Sequence, residues 1–329
     1  MRRLLILSLL PAMLAMAAPT GYHVLGDVKI GGEGGWDYLT VDSAAHRLYV
    51  SHATHVAVVD VDSGKVVGDI PDTQGVHGIA LAPELNKGFT SNGRANNVTI
   101  FDLKTLKAIG QVPTGENPDS IRYDGVSGRV FTFNGRSNNS TAIDAKTGKV
   151  AGTIALGGKP EFSVADGKGM VFVNIEDKNE VVAIDAAKLS VAKRYSLSPC
   201  DGPSGLAIDT KSRRLFSVCS NRLMAVSDPD SGKVLATPAI GQGSDGVAFD
   251  PATGYAFSSN GDGTLTVVQQ AGGKWDVLEN IATERGARTI ALDEKTHKLY
   301  LPTARTAPSQ GGGRATYLPD TFKVLIVGK

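Results

Sequence analysis

Short runs of apolar residues, each ending in an aspartate, recur along the chain at an interval of about 42 residues. The clearest copies are YLTVD at 38–42, SIRYD at 120–124, GLAID at 205–209, GVAFD at 246–250 and TIALD at 289–293. The residues just before the repeated segments fall at positions 37, 77, 119, 161, 204, 245 and 288. Spacing this even predicts seven copies of one structural unit.

Each unit contains three further segments of strand length. The second segment is led by an aromatic residue, namely Tyr49, Phe89, Phe131, Phe172, Phe216, Phe257 and Tyr300. The third ends at Asp60, Asp102, Asp144, Asp185 and Asp228, and turns such as DSGK at 62–65 lead into the fourth. Four short antiparallel strands per repeat are typical of a propeller blade, because such units bury their faces only by stacking. The sequence therefore predicts an all-β fold, a single seven-bladed β-propeller with blades starting near 37, 77, 119, 161, 204, 245 and 288.

The two ends of the repeat region predict how the ring closes. The seventh unit has only three strand segments, at 289–293, 298–301 and 322–328, whereas the segment 22–30 (YHVLGDVKI) has no partner. We expect this N-terminal strand to form the outer strand of the last blade and so remove an open sheet edge. The Gly-, Pro- and Ser-rich stretch 303–321 is predicted to be a long, mobile loop.

The first seventeen residues have the pattern of a signal peptide. Arg2 and Arg3 precede an apolar run at 4–16 that is too short to span a bilayer, and Ala15-Met16-Ala17 provides small residues for cleavage after Ala17. The sequence thus predicts a periplasmic or secreted protein whose mature part, residues 18–329, is one domain without a membrane span.

Composition narrows the classes of function. Glycine makes up 39 of 329 residues, as tight turns require, and 34 Lys+Arg against 33 Asp+Glu disfavours a nucleic-acid partner. Two cysteines exclude iron–sulfur clusters and cysteine-only zinc sites. An oxidising compartment permits a disulfide between Cys200 and Cys219, with two separate buried thiols as the alternative.

The repeat resembles the YVTN type of seven-bladed propeller, and the chain from Tyr22 to Lys329 is similar to the YncE-like exported proteins. The resemblance rests on Pro118, Pro160 and Pro203 before the first strands, the Asp-x-x-Thr/Ser-Gly-Lys-Val turns, and LPD at 318–320. Larger residues replace the expected small one near the channel mouth at Tyr38, Ser120, Phe162 and Thr289. The resemblance implies export and a propeller with binding loops, but it implies no reaction.

The candidate site is found by comparing equivalent loop positions of the seven repeats. In a four-stranded meander the fourth-to-first and second-to-third loops share one face, and residues there that differ between blades are free for function. These candidate ligand-binding residues are Asp37, His52, His77, Asn92, Arg94, Asp119, Asn134, Arg136, Glu161, Asp245 and Arg288. Because Arg288 balances only part of the acidic charge, we expect a cation or a cationic ligand group near Asp119 and Glu161. As surface residues, these two are expected to be replaceable without loss of stability.

Three classes of function remain open. A binding module would use Arg94, Arg136 and Arg288 to bind the anionic groups of a small polar ligand, or would bind a periplasmic protein. A metal-dependent hydrolase or lyase would hold a divalent cation with Asp119, Glu161, His52 and His77, and zinc if His52, His55 and His77 converge. The third class is an accessory subunit of a periplasmic redox system. No catalytic signature appears, no motif indicates haem, NAD or PQQ, and a wet polar rim without a ligand is the simplest alternative.

Overall fold

Seven four-stranded antiparallel sheets form the fold in the computed structural model, which describes residues 19–307 and 316–329. In six of the blades the strands follow one another in sequence order, from an inner strand beside the axis to an outer strand at the rim. This architecture confirms the predicted seven-bladed β-propeller. The predicted signal peptide and residues 308–315 of the predicted loop lie outside the described residues.

The strands begin with β1 (His23–Lys29), which precedes the first blade. Blades 1 to 3 consist of β2 (Leu39–Asp42), β3 (Arg47–His52), β4 (His55–Asp60) and β5 (Lys65–Ile70); β6 (Val76–Ala82), β7 (Lys87–Asn92), β8 (Asn97–Asp102) and β9 (Ala108–Pro113); and β10 (Pro118–Asp124), β11 (Arg129–Asn134), β12 (Asn139–Asp144) and β13 (Lys149–Ala155). Blades 4 and 5 consist of β14 (Pro160–Ala165), β15 (Met170–Ile175), β16 (Glu180–Asp185) and β17 (Ser190–Ser196); and β18 (Pro203–Asp209), β19 (Arg214–Cys219), β20 (Met224–Ser227) and β21 (Val234–Ala236). Blade 6 consists of β22 (Ser244–Asp250), β23 (Tyr255–Asn260), β24 (Thr264–Ala271) and β25 (Lys274–Ala282), and blade 7 contains β26 (Ala291–Asp293), β27 (Lys298–Thr303) and β28 (Lys323–Gly328). The helical segments among the described residues are two 3-10 turns, Pro83–Leu85 and Glu176–Lys178, and no helix there is long and apolar enough to cross a membrane.

The N-terminal strand closes the ring. β1 pairs antiparallel with β28, so that His23 lies opposite Gly328 and Lys29 opposite Lys323. The last blade is thus built from both ends of the chain, in the order β1-β28-β27-β26, as the sequence predicted. This pairing occupies the edge of β28 that would otherwise be open.

The core lies between neighbouring blades. The aromatic residues that lead the second strands are buried, as Phe131 and Phe172 illustrate with 0% and 1% exposure. Phe131 packs in one cluster with Val171 and Val173 of the next blade. Because each sheet is covered on both faces, the second and third strands of blades 1 to 6 are buried over at least four consecutive residues, as β15 and β16 illustrate.

At the axis, small and large residues share one repeat position, which is the first residue of the predicted inner segments. Gly205 and Gly246 allow adjacent inner strands to approach, since a Cβ on Gly246 would lie 2.9 Å from the backbone nitrogen of Ile290. Tyr38 and Phe162 occupy the same position in blades 1 and 4, and their ring centroids are 4.7 Å apart. Because those blades are not neighbours, this aromatic pair crosses the channel and plugs it.

Blade 5 has the shortest outer strands, with four residues in β20 and three in β21. A disulfide joins Cys200, in the loop before β18, to Cys219 at the end of β19, with the Cα atoms 5.6 Å apart. The bond fastens that loop to the blade whose strand pairing is least extensive.

Candidate functional site

Two sets of loops form the wall of a funnel at one end of the axis. In six of the blades, the loop before the inner strand accepts a backbone hydrogen bond from the residue that follows the second strand of the same blade. Four of these bonds are Ala53 N to Gly35 O, Gly93 N to Gly75 O, Gly135 N to Asn117 O and Glu176 N to Lys159 O, each at 2.9 Å. The two loop types therefore lie on one face, as the meander topology requires.

The funnel contains a cavity of about 780 Å³. Glycines of the loops form part of its lining. The charged side chains that line it are Asp37, His77, Arg94, Arg136, Lys159 and Arg288. Asp119, Glu161 and Asp245 stand at the same repeat position as Asp37 and His77, and their side chains are linked to those lining residues by the ion pairs described below. We call the residues at that position, 37, 77, 119, 161, 204, 245 and 288, the funnel ring.

His77 lies between two carboxylates of the funnel ring. Its Nδ1 is 2.6 Å from an oxygen of Asp37 and 3.6 Å from an oxygen of Asp119. Burial opposes the positive charge of His77, but Asp119 and Asp37 outweigh it and raise the pKa of the imidazole to about 9. A protonated His77 therefore neutralises part of the acidic charge at neutral pH. The ligand atoms of these three residues all lie within 4.8 Å of one another, so this is where the funnel could hold a metal ion.

Two further cations pair with the rest of the ring. Lys159 Nζ is 2.6 Å from an oxygen of Glu161 and also bonds to Glu176. Arg288 donates from Nε to Asp245 at 2.8 Å. The sequence-based interpretation counted Arg288 alone, and the structure adds Lys159 and protonated His77 as cations from within the chain; the external cation near Asp119 and Glu161 stays a prediction. Lys159 was missed although its position two residues before Glu161 on an extended segment places both on the same side.

Burial shifts the pKa values of the remaining ring acids. The pKa of Asp119 rises to about 7 because burial disfavours its charge, against the attraction of His77. The pKa of Glu161 rises to about 8, first through burial and then through repulsion by Asp119, although Lys159 opposes the shift. Their side chains are 15% and 10% exposed. They are thus largely buried, and the expectation that they behave as surface residues was wrong.

We expect the protein to lose stability as the pH rises from about 5 to 9. In the unfolded chain Asp119 and Glu161 ionise near pH 3.8 and pH 4.5, whereas in the folded chain they keep their protons up to about pH 7 and pH 8. The stabilisation that protonated His77 provides is fully present below its ordinary pKa of 6.5, and it is lost as the pH rises through about 9. All three groups make the folded state bind more protons in this range, so raising the pH favours unfolding.

Thermal melting at pH 5, 7 and 9 tests this expectation. The melting temperature of the variant Glu161→Gln should fall less between pH 5 and 9 than that of the wild type, because the variant lacks one carboxyl group with a raised pKa. Glu294→Gln, an exposed acid in a hairpin turn of blade 7, is the matched control and should follow the wild type. Equal pH dependence in wild type and Glu161→Gln would contradict the expectation.

His52 belongs to the core and not to the cavity. It is 1% exposed, and its ring stacks on Phe322 and contacts His55, with centroids 4.5 and 4.8 Å apart. Gly32 covers it so closely that a Cβ there would lie 2.9 Å from Cε1 of the imidazole. Burial and, secondly, His55 lower the pKa of His52 to about 4, so its ring is neutral. Within the described residues, His52 and His55 do not converge with His77 on a common point, and the structure does not assemble the zinc site considered from the sequence.

The candidate asparagines also have structural partners. The amide of Asn92 donates to Asn97 Oδ1 at 2.8 Å and to Thr99 Oγ1 at 2.9 Å. Asn134 makes the equivalent bonds in the next blade, and so does Asn260 in blade 6. Since these side chains are fully buried, they fasten the second strand to the third and do not reach a ligand.

Arg94 and Arg136 differ from the other charged residues of the funnel. Both are exposed, both line the cavity, and both follow the second strand of their blade. Across residues 19–307 and 316–329, neither guanidinium forms a hydrogen bond or an ion pair. The funnel therefore presents two uncompensated positive charges above a ring whose own charges are paired.

No known protein family and no curated protein matches the sequence at a significant level. Numerous solved chains are similar in structure. One of them is a chain of the Kuenenia stuttgartiensis hydrazine synthase, with a TM-score of 0.73 and 14% sequence identity over 86% of this chain and 95% of that chain. At such low identity the likeness extends to the fold alone, and it supports the seven-bladed β-propeller.

Proposed function

We propose that this propeller is a binding module for a small ligand that carries an anionic group, such as a carboxylate or a phosphate. The observation that carries the proposal is the pair Arg94 and Arg136, whose guanidiniums line the cavity and have no hydrogen-bond or ion-pair partner within residues 19–307 and 316–329. A guanidinium presents a planar fork of donors that matches carboxylate and phosphate oxygens.

The size and charge of the funnel support the proposal. A cavity of about 780 Å³ lies within the range of roughly 300–1,000 Å³ that is usual for small-molecule sites. The four carboxylates of the funnel ring each lie in an ion pair with His77, Lys159 or Arg288, and burial raises the pKa of Asp119 and Glu161. Of the charged side chains that line the cavity, Arg94 and Arg136 are those without an ion-pair partner in the described residues, which favours an anionic ligand over the cationic group expected from the sequence.

Calorimetric titration with phosphate, succinate and citrate at low salt tests the proposal. The wild type should bind at least one of these anions saturably, and the double variant Arg94→Ala/Arg136→Ala should bind it at least tenfold more weakly. The control Lys65→Ala/Lys107→Ala removes the same charge from exposed positions at the hairpin between third and fourth strands, away from the cavity. If both double variants lose affinity equally, net charge alone governs binding; if the arginine variant binds like the wild type, the proposal is wrong.

A metal-dependent hydrolase or lyase is the second candidate, and the cluster of Asp37, His77 and Asp119 favours it. Two carboxylates and one imidazole form a donor set that divalent cations accept. An ion there would take the place of the proton through which His77 Nδ1 bonds to Asp37. Two of the metal ligands considered from the sequence, His77 and Asp119, belong to this cluster, whereas Glu161 forms an ion pair with Lys159. Elemental analysis of the purified protein discriminates between the two candidates.

Export and family membership complete the proposal. We infer an exported protein of the YncE-like group, on the basis of the signal-type sequence at 1–17 and the repeated turn residues. N-terminal sequencing of exported protein should begin at Ala18. A role as an accessory subunit of a redox system is supported only by the name of the hydrazine synthase neighbour. Co-purification of a periplasmic partner would favour this role over that of a binding module.

A further inference from the structure

A single arginine lies in the channel on the far side of the aromatic plug. The fourth residue of the predicted inner segments, counted from the funnel ring, is small in most blades: Thr40, Ala80, Val164, Ala207, Ala248 and Ala291. Blade 3 carries Arg122 at this position. Its guanidinium carbon lies 5.5 Å from the ring centroid of Phe162, which forms the plug with Tyr38.

The plug separates Arg122 from the acids of the funnel. Arg122 stands three residues further along the inner strand β10 than Asp119 of the funnel ring, which is roughly 10 Å at the rise of an extended strand. Burial lowers the pKa of Arg122 to about 10. The two halves of the channel thus differ in charge, with paired ions on one side and a lone cation on the other.

Arg122 has protein partners for only part of its donor groups. Nε and Nη2 both donate to the carbonyl oxygen of Ser163, at 3.1 and 2.8 Å. Nη1 has no hydrogen-bond partner in the described part of the chain, and no carboxylate there lies within ion-pair distance. The nearest acid in the adjoining cavity of about 250 Å³ is Asp42, whose Oδ1 accepts from the backbone nitrogens of Ala44 and Ala45.

Two other partly buried arginines of this fold have a carboxylate partner. Arg213 binds Asp166 at 2.9 Å, and Arg288 binds Asp245 at 2.8 Å. A half-buried guanidinium that lacks such a partner carries a desolvation cost, which an anion would offset. The cavity beside Arg122 provides the space for that anion.

We propose that Arg122 and the adjoining cavity form an anion site at the end of the channel opposite the funnel. The ligand is a small oxyanion or halide, or the carboxylate of an organic acid, held by the outward donor of the guanidinium. The site is separate from the proposed function, because the plug of Tyr38 and Phe162 lies between the two. The competing explanation is that Arg122 only links blades 3 and 4, as Thr40 links blades 1 and 2 through the carbonyl oxygen of Ile79.

The test uses the full mature chain in the background Arg94→Ala/Arg136→Ala, so that the funnel arginines do not contribute. Melting temperature is measured in dilute Hepes buffer, to which chloride, phosphate or acetate is added at equal ionic strength. We expect a saturable rise of about 2 °C or more at tenfold excess over the dissociation constant with at least one of these anions. The anion that acts identifies the ligand as halide, oxyanion or carboxylate.

Two further substitutions in that background decide the matter. Arg122→Met keeps the packing on Phe162 but removes the charge, and the rise should disappear. Arg122→Lys keeps the charge and should retain a weaker rise. The proposal is overturned if Arg122→Met shows the same rise, or if no anion acts and Arg122→Met melts lower by the same amount under all conditions. Bromide in a crystal, located by its anomalous signal, should lie within hydrogen-bond distance of the Arg122 guanidinium, and its absence there at saturating bromide also counts against the site.

Discussion

Replacing Gly246 by alanine is expected to destabilise the propeller by about 3 kcal/mol. The new Cβ would lie 2.9 Å from the backbone nitrogen of Ile290 and 2.9 Å from the Cα of Thr289. These atoms belong to the neighbouring blade's inner segment, so no flexible side chain can move aside. The inner strands form a closed ring, and a shift of one must be shared by the others. Overpacking typically costs about 1–3 kcal/mol, and backbone contact places this case at the upper end.

Gly110→Ala is the matched control for this effect. Gly110 lies in the exposed outer strand β9, and the nearest atom to a new Cβ is Ile100 Cδ1 at 3.9 Å. Alanine there should be neutral or should stabilise the protein by about 0.5 kcal/mol, because it restricts the unfolded chain. Denaturant-induced unfolding measures both changes. Equal stabilities of the two variants would show that the inner strands separate easily, contrary to the packing described above.

Removing the disulfide is expected to cost about 3 kcal/mol. Cys200 and Cys219 are 19 residues apart, and cross-linking a loop of this length lowers the entropy of the unfolded chain by about that amount. The native blade offers little compensation, because β20 and β21 pair through only Val226 with Ala236 and Ser227 with Val234. The loss should therefore appear first as local opening of blade 5.

The variant Cys200→Ala/Cys219→Ala, compared with the wild type in the presence and absence of a reductant, provides the measurement. Reductant should lower the melting temperature of the wild type toward that of the variant and leave the variant unchanged. Hydrogen exchange should increase mainly in 214–236. Unchanged stability of the variant would mean that the shape of blade 5 does not depend on the bond.

The sequence by itself determined the architecture, because each blade is specified locally. The even repeat, the aromatic residues that lead the second strands and the unpaired segment 22–30 suffice to predict seven blades and closure by β1. A period-two pattern fixes which face of a strand is buried, and stacking then leaves few alternatives. The repeat also indicated which residues meet at the axis, since equivalent positions lie at equal height around a ring.

The tertiary structure alone decided the charges of the site. The partner that neutralises Asp37 is His77, 40 residues away, and the residue that covers His52 is Phe322, from the opposite end of the chain. The contact of Tyr38 with Phe162 divides the channel, and among the residues that the structure describes Arg122 has no carboxylate partner. Such pairings depend on distances across the ring and on burial, which a repeat pattern does not encode. The sequence therefore determined where polar side chains gather, whereas three-dimensional proximity decided which of them are paired and which are left to bind a ligand.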